Sequence, residues 1–228
     1  MARLSIIMPV LDEGSAIVAA LDALADLRAL GVELIVVDGG SRDATVQRAR
    51  LRADRVLTAP RGRALQMNAG AEKAAGDVLL FLHADTRLPP AAEHVILNGL
   101  EHTGRAWGRF DVTIAGRHPL LAVISRLMNI RSRVTGIATG DQAIFIKRDA
   151  FAAAGGYPPI ALMEDIALCK RLKHIGPPLC LSERVVTSGR RWERRGVLTT
   201  ILLMWRLRLA YFLGADPARL AQHYGYGE

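Results

Sequence analysis

The sequence is short of cysteine, lysine and aromatic residues, and it has no long uninterrupted apolar run. Its two cysteines, Cys169 and Cys180, lie eleven residues apart with no second pair and no histidine cluster beside them, which excludes a disulfide framework and a zinc site. No G-x-G-x-x-G and no P-loop sequence occurs, so neither glycine-rich phosphate cradle is available. The most apolar stretch, residues 197–213, is interrupted by Arg206 and Arg208 and falls short of the roughly 20 residues that a membrane span needs. The first apolar run, Leu4 to Val10, is too short for a signal peptide and is followed at once by Asp12 and Glu13. A cytoplasmic protein with reduced thiols is expected. There is no internal repeat and no low-complexity segment.

What is present points to an ordinary globular chain. Of 228 residues, 50% are hydrophobic and 23% charged, enough for one sizeable α/β domain and somewhat short for two. The net charge is +8, and only Lys73, Lys147, Lys170 and Lys173 are lysines among 30 basic side chains. Arginine suits bidentate recognition of phosphate or carboxylate, although base composition of the genome produces the same excess. The arginines concentrate between Arg184 and Arg208, where Trp192 and Trp205 are the only aromatics. That placement argues against nucleic acid and fits a diphosphate or an anionic lipid surface better.

Hydrophobic periodicity organises the first 85 residues as alternating strands and helices, the pattern of βαβ units. Strands are expected over Leu4 to Val10, Val32 to Asp38, Arg55 to Thr58 and Val78 to His83. Helices are expected over Ser15 to Leu30, Asp43 to Arg50 and Arg63 to Ala75. Beyond residue 85 the pattern loosens, with helices over Ala91 to His102, Leu120 to Asn129 and Glu164 to His174, and strands over Trp107 to Ile114 and Ala143 to Lys147. Residues 1–195 form the expected catalytic domain. Residues 196–228 form an amphipathic helical segment packed on that domain or lying on a membrane surface without crossing it.

Ligands of open parallel sheets bind beyond the carboxyl ends of the strands. Here those ends carry Asp12 and Glu13, then Asp38, then Arg61 and Arg63, then His83 and Asp85. Carboxylates occupy the first turn, where a dinucleotide site would present glycine amides. Acids at this edge make sense if they accept from a nucleobase and ribose while a divalent cation bridges a carboxylate to a diphosphate, with arginines completing neutralisation.

Five segments in order resemble the inverting family 2 glycosyltransferases. They are Ser5 to Glu13 (SIIMPVLDE), Val36 to Thr45 (VVDGGSRDAT), Arg61 to Gly70 (RGRALQMNAG), Phe81 to Thr86 (FLHADT) and Met163 to Asp165 (MED). The resemblance covers roughly residues 3–195. It implies an α/β, GT-A type nucleotide-diphospho-sugar transferase fold, with a mostly parallel central sheet and helices on both faces. It also implies a nucleotide-diphosphate sugar as donor, a small-molecule or lipid acceptor, and Mn2+ or Mg2+ as cofactor. The form Leu82-His83-Ala84-Asp85-Thr86 resembles a subgroup linked to arsenosugar biosynthesis.

By position, the resemblance makes Asp38 and Glu13 contacts to the nucleoside, with Pro9, Asn68 and Ala84 in donor-binding segments; Asp38 and Glu13 also read as turn or cap residues. Asp43 reads as the cap of its own helix. His83-Ala84-Asp85 falls where relatives carry a D-x-D metal motif, so Asp85 is the metal ligand, and His83 either meets the diphosphate or fills space beside the sheet. Asp165 matches the catalytic base, with Glu164 beside it; both also favour a helix N-terminus through the macrodipole. Asp141 lies in a segment lining the sugar and acceptor. Ser188 to Trp192 is similar to the Q-x-x-R-W motif of processive relatives with its glutamine lost, which argues against polymer synthesis. Arg191 and Trp192 remain divided between diphosphate contact and packing, as Arg61 and Arg63 are between phosphate contact and a solvated loop.

Two rivals stand beside this reading. A sugar-phosphate nucleotidyltransferase needs a glycine- and arginine-rich loop after the first strand, and Pro9 to Gly14 is acidic instead. A peripheral membrane-binding module without catalysis would rest on Arg190 to Arg208 alone.

Overall fold

The computed structural model describes residues 3–224. In chain order the first half contains β1 (Leu4–Val10), α1 (Ile17–Asp22), α2 (Ala25–Ala29), β2 (Glu33–Asp38), α3 (Thr45–Ala49), β3 (Arg55–Thr58), α4 (Arg63–Lys73), β4 (Val78–Phe81), β5 (Thr86–Arg87) and α5 (Ala92–Thr103). The second half contains β6 (Trp107–Ala115), α6 (Leu120–Thr135), β7 (Phe145–Lys147), α7 (Arg148–Ala153), α8 (Glu164–Ile175), β8 (Leu179–Ser188), α9 (Arg190–Arg195), α10 (Val197–Phe212) and α11 (Pro217–Tyr224).

The strands form one eight-stranded sheet in the order β3-β2-β1-β4-β7-β6-β8-β5. The half built from β3, β2, β1 and β4 is wholly parallel. Beyond it β7 runs antiparallel to both β4 and β6, and β8 is parallel to β6. Strand β1 is apolar on both faces, as a parallel central strand must be. Its Leu4, Ile6, Met8 and Val10 join Ile17, Leu21 and Ile96 in one core, while Ile7 joins Met67, Phe151 and Leu168 in the other. Helices therefore cover both faces, and the GT-A like architecture expected from the sequence is present.

The differences from the sequence-based expectations have local causes. The helix over Ser15 to Leu30 is two helices, because at Leu24 the backbone N–H turns to Leu21 O (3.0 Å) and sends both leucines into the core. The helix expected to stop at Asn129 continues to Thr135. Asn129 is buried and spends its amide on both backbone groups of Val112, rather than on terminating its own helix; Gly136, at φ 66°, ends the helix instead. Strand β8 has no alternating apolar pattern to mark it, because Ser182, Glu183 and Arg184 break its apolar run with three exposed residues. The segment after residue 195 packs on the domain in part: Leu207, Leu220 and Ala221 cluster with Leu162, Met163 and Ile166. No described helix is long and apolar enough to cross a membrane.

Candidate active site

The loops beyond β1 and β2 are stitched into one rim. Gln66 of α4, buried, donates through Nε2 to Val10 O and Val37 O, 2.8 Å each. Asp12 accepts from the Arg42 N–H at 2.7 Å and donates its own N–H to Ser41 Oγ at 2.9 Å. Asp43 accepts from Thr45 and also from the Gly14 N–H at 2.8 Å. The N-cap position of α3 falls on Ala44, so Asp43 stands one residue ahead of it and joins the two loops instead. Asp43 is held below its ordinary pKa chiefly by the Thr45 hydroxyl. Asp38, almost fully buried, accepts from Gly40 N–H, Ser41 N–H and the Ser41 hydroxyl. Gln66 and this loop-to-loop bonding lay outside the sequence reading; a glutamine on the apolar face of an amphipathic helix was the available signal.

A cavity of about 160 Å³ opens next to this rim, and residues far apart in sequence converge on it. His83 and Asp85 enter from the end of β4, Arg63 from the start of α4, and Asp141 from the turn before β7. Glu164 and Asp165 enter from the start of α8, with Arg191 and Trp192 from α9. Glu13 is not in the lining but lies within electrostatic range of Asp85, Arg63 and Arg190, and its burial raises its pKa. Asp38, Pro9 and Arg61 stay outside the cavity, at the ends of β2 and β1 and in the loop before α4. Asn68 is committed to tying down Tyr157, through bonds of 2.8 and 2.9 Å with its carbonyl and N–H. Ala84 is a buried core residue that spaces His83 from Asp85.

Local geometry aims the acids. Met163 has φ 70°, a left-handed conformation uncommon for a residue with a side chain, and it turns the chain so that α8 starts at Glu164 against the cavity. Asp165 accepts the Gly140 N–H at 3.0 Å and the Ile166 N–H at 2.7 Å. A Cβ on Gly140 would meet the His83 ring at 2.6 Å, so only glycine lets the Gly140–Gln142 turn lie under that histidine. His83 Nδ1 sits 3.4 Å from Asp141 Oδ1. Burial alone would raise the Asp141 pKa, but the His83 hydrogen bond and the charges of His83, Arg63 and Arg191 hold it below its ordinary value. Glu164 is pushed up to about 7 by burial, then by the neighbouring Asp165 charge. Arg191 stacks 4.2 Å over the Tyr224 ring.

Among the described residues no group of three or more His, Cys, Asp or Glu side chains is placed to hold a metal ion alone. The donors present suit a different arrangement. Asp85 offers one carboxylate at the cavity, and a hard cation such as magnesium or manganese could complete its shell from phosphate oxygens and water. A larger open hollow of about 380 Å³ lies by His118 and Gly196. Its carboxylate, Glu193, is occupied by the Arg117 N–H at 2.8 Å, and its lining follows β6 and β8, with no residue from the loops after β1, β2 and β4.

A half-parallel sheet with helices on both faces and an acidic rim at its strand ends defines the GT-A class of fold. The model of the family "Glycosyl transferase family 2" matches residues 5–153, and the chain belongs to that family. Solved structures agree on the fold. TarS residues 1–349 from S. aureus in complex with UDP matches at 18% identity and TM-score 0.67, over 82% of this chain and 60% of that one. Mannosyltransferase PcManGT from Pyrobaculum calidifontis, in complex with GDP-Man and Mn2+, matches at 21% identity and TM-score 0.63, over 99% of this chain and 69% of that one. The chain thus spans about 60% of the length of the TarS fragment. No curated protein matches the sequence.

Proposed function

We propose that the chain transfers a glycosyl group from a nucleotide-diphosphate sugar to an acceptor hydroxyl with inversion. The observation that carries this reading is the convergence of Asp85, Asp141, Glu164 and Asp165 with Arg63 and Arg191 on one cavity beside the strand ends. Relatives of this fold were solved with UDP, UDP-GlcNAc and GDP-Man, which supports a nucleotide-sugar donor.

In this reading the acceptor oxygen attacks the anomeric carbon, the bond from that carbon to the diphosphate oxygen breaks, and Asp165 takes the acceptor proton. The Gly140 and Ile166 amides fix the Asp165 carboxylate for that task. Beside it, burial and the Asp165 charge push the Glu164 carboxyl up to about 7. Arg63 and Arg191 offset charge on the departing diphosphate. Asp85 would hold a manganese or magnesium ion together with the diphosphate, where it supplies further charge neutralisation. Glu13 and Asp38 face the nucleoside from the stitched rim, with Asp38 exchanging its turn partners for the base.

We place the protein in the cytoplasm, resting on the inner face of the membrane. The support is two exposed apolar stripes, Val123, Leu127, Ile130 and Val134 on α6 and Leu198, Leu202, Trp205 and Leu209 on α10. Arg126 and Arg206 are exposed on those two helices, and neither helix carries an acid, which suits an anionic lipid surface. Residues 82–86 keep arsenosugar precursors among the acceptors to assay.

The test is a thermal-shift panel of uridine, guanosine and thymidine diphosphate sugars with and without manganese. One donor raises Tm in a manganese-dependent way, and Asp85→Ala loses the manganese dependence. A flat response across the whole panel would overturn the reading.

A further inference from the structure

Helix α10 turns a second face inward. Thr200, Met204 and Arg208 recur at four-residue spacing and line the cavity, whereas Arg206, two residues away, points to solvent. Arg208 is largely removed from water, which depresses its pKa against the opposing field of Asp165 and Asp141. Behind it Arg131 of α6 stands within electrostatic range of both Arg208 and Asp165, and burial brings its pKa down to about 10. The Nε and Nη2 atoms of Arg131 are buried without a hydrogen-bond partner.

This is an unusual use of charge. Arg109, fully buried, is paired with Asp111 and bonded to Asn129 O at 3.2 Å. Arg131 and Arg208 share only one neighbouring carboxylate in common, Asp165, and its oxygens already accept two amide N–H groups. A guanidinium taken from water is costly unless an anion meets it. Arg208 lines the cavity and Arg131 lies within electrostatic range of it, so two guanidiniums bear on one end of the site, opposed there by Asp165 and Asp141, and an anionic ligand would add to that balance. The donor diphosphate is accounted for elsewhere, by Arg63 and by Asp85 with its cation.

We propose that Arg208, backed by Arg131, forms an oxyanion subsite beside Asp165 that receives a phosphate or carboxylate carried by the acceptor. The word acceptor rests on the glycosyl-transfer reading; the anion site itself rests on the guanidinium geometry. An acceptor anchored there would present its hydroxyl to Asp165, and neutral alcohols would lack the anchor.

Calorimetric titration tests this with sn-glycerol 3-phosphate, glycerate and glycerol, each added to the free protein and to protein loaded with manganese and UDP or GDP. One of the two anions binds in both states and glycerol does not. Arg208→Gln weakens that anion about tenfold or more, the scale of a lost charge-assisted hydrogen bond, and leaves nucleoside diphosphate affinity unchanged. Arg131→Lys keeps the buried charge and the fold, and weakens the anion less than Arg208→Gln. Vesicles carrying phosphatidic acid, replacing glycerol 3-phosphate, separate a lipid-borne monoester from a soluble one. The subsite is refuted if neither anion binds better than glycerol, if Arg208→Gln binds it as the parent does, or if the nucleoside diphosphate displaces it. Absence of nucleoside diphosphate binding with the anion results intact would instead sink the donor reading and leave the subsite standing.

Discussion

Glu164 makes the stability of this protein depend on pH in a direction that can be worked out. Its carboxyl is pushed from an ordinary value of 4.5 to about 7 by burial and by Asp165. The folded chain therefore holds a proton that the unfolded chain releases at lower pH. The stabilisation is complete below about pH 4.5, declines as pH rises, and is gone above about pH 7. At about 1.4 kcal/mol per unit, the shift amounts to at most about 3.5 kcal/mol. For a chain of this length that corresponds to roughly 7 to 14 °C in Tm. Melting curves collected between about pH 5 and pH 8 should show the parent losing stability relative to Glu164→Gln, which stays neutral throughout. The difference between the two curves cancels the contribution of the six histidines. Parallel curves for parent and variant would refute the reasoning and show that Glu164 titrates as it does in water.

Asp165→Asn should bind donor as the parent does and lose turnover by about 100-fold or more, the scale of a removed general base; parent-like turnover would take Asp165 out of the chemistry. Gln66→Ala strands the carbonyls of Val10 and Val37 and should cost about 2 to 3 kcal/mol, read by urea denaturation. Leu202→Glu with Trp205→Glu should abolish flotation with phosphatidylglycerol vesicles while leaving donor binding intact; undiminished flotation would exclude the α10 stripe as the contact.

The parallel half of the sheet was legible because strands buried on both faces must be apolar throughout, and because the chain places its polar residues at their ends. Four candidate residues, His83, Asp85, Glu164 and Asp165, were equally plain, being acids or a histidine at element boundaries, and they line one cavity. Their partners were not. Gly140 matters through a ring it touches 57 residues upstream in the chain, and no local pattern records that contact. Arg206 and Arg208 read alike as interruptions of an apolar run, yet a helix sends residues two apart to different faces. One meets water and the other lines the cavity in the field of Asp165. Asp38 and Asn68 show the opposite limit, since motif positions said nothing of the turn and loop bonds in which their side chains are engaged.

The bolt that Gln66 makes between two strand ends has a bearing on how this rim can evolve and move. Val10 and Val37 hang from one nitrogen, and the segments that follow them hold each other through Asp12, Ser41, Asp43 and Gly14. They form a single panel. Ordering by a ligand at one segment is inherited by the other, so the entropic cost is met once for both. By the same logic an insertion in either loop would shift the Glu13 and Asp38 carboxylates together.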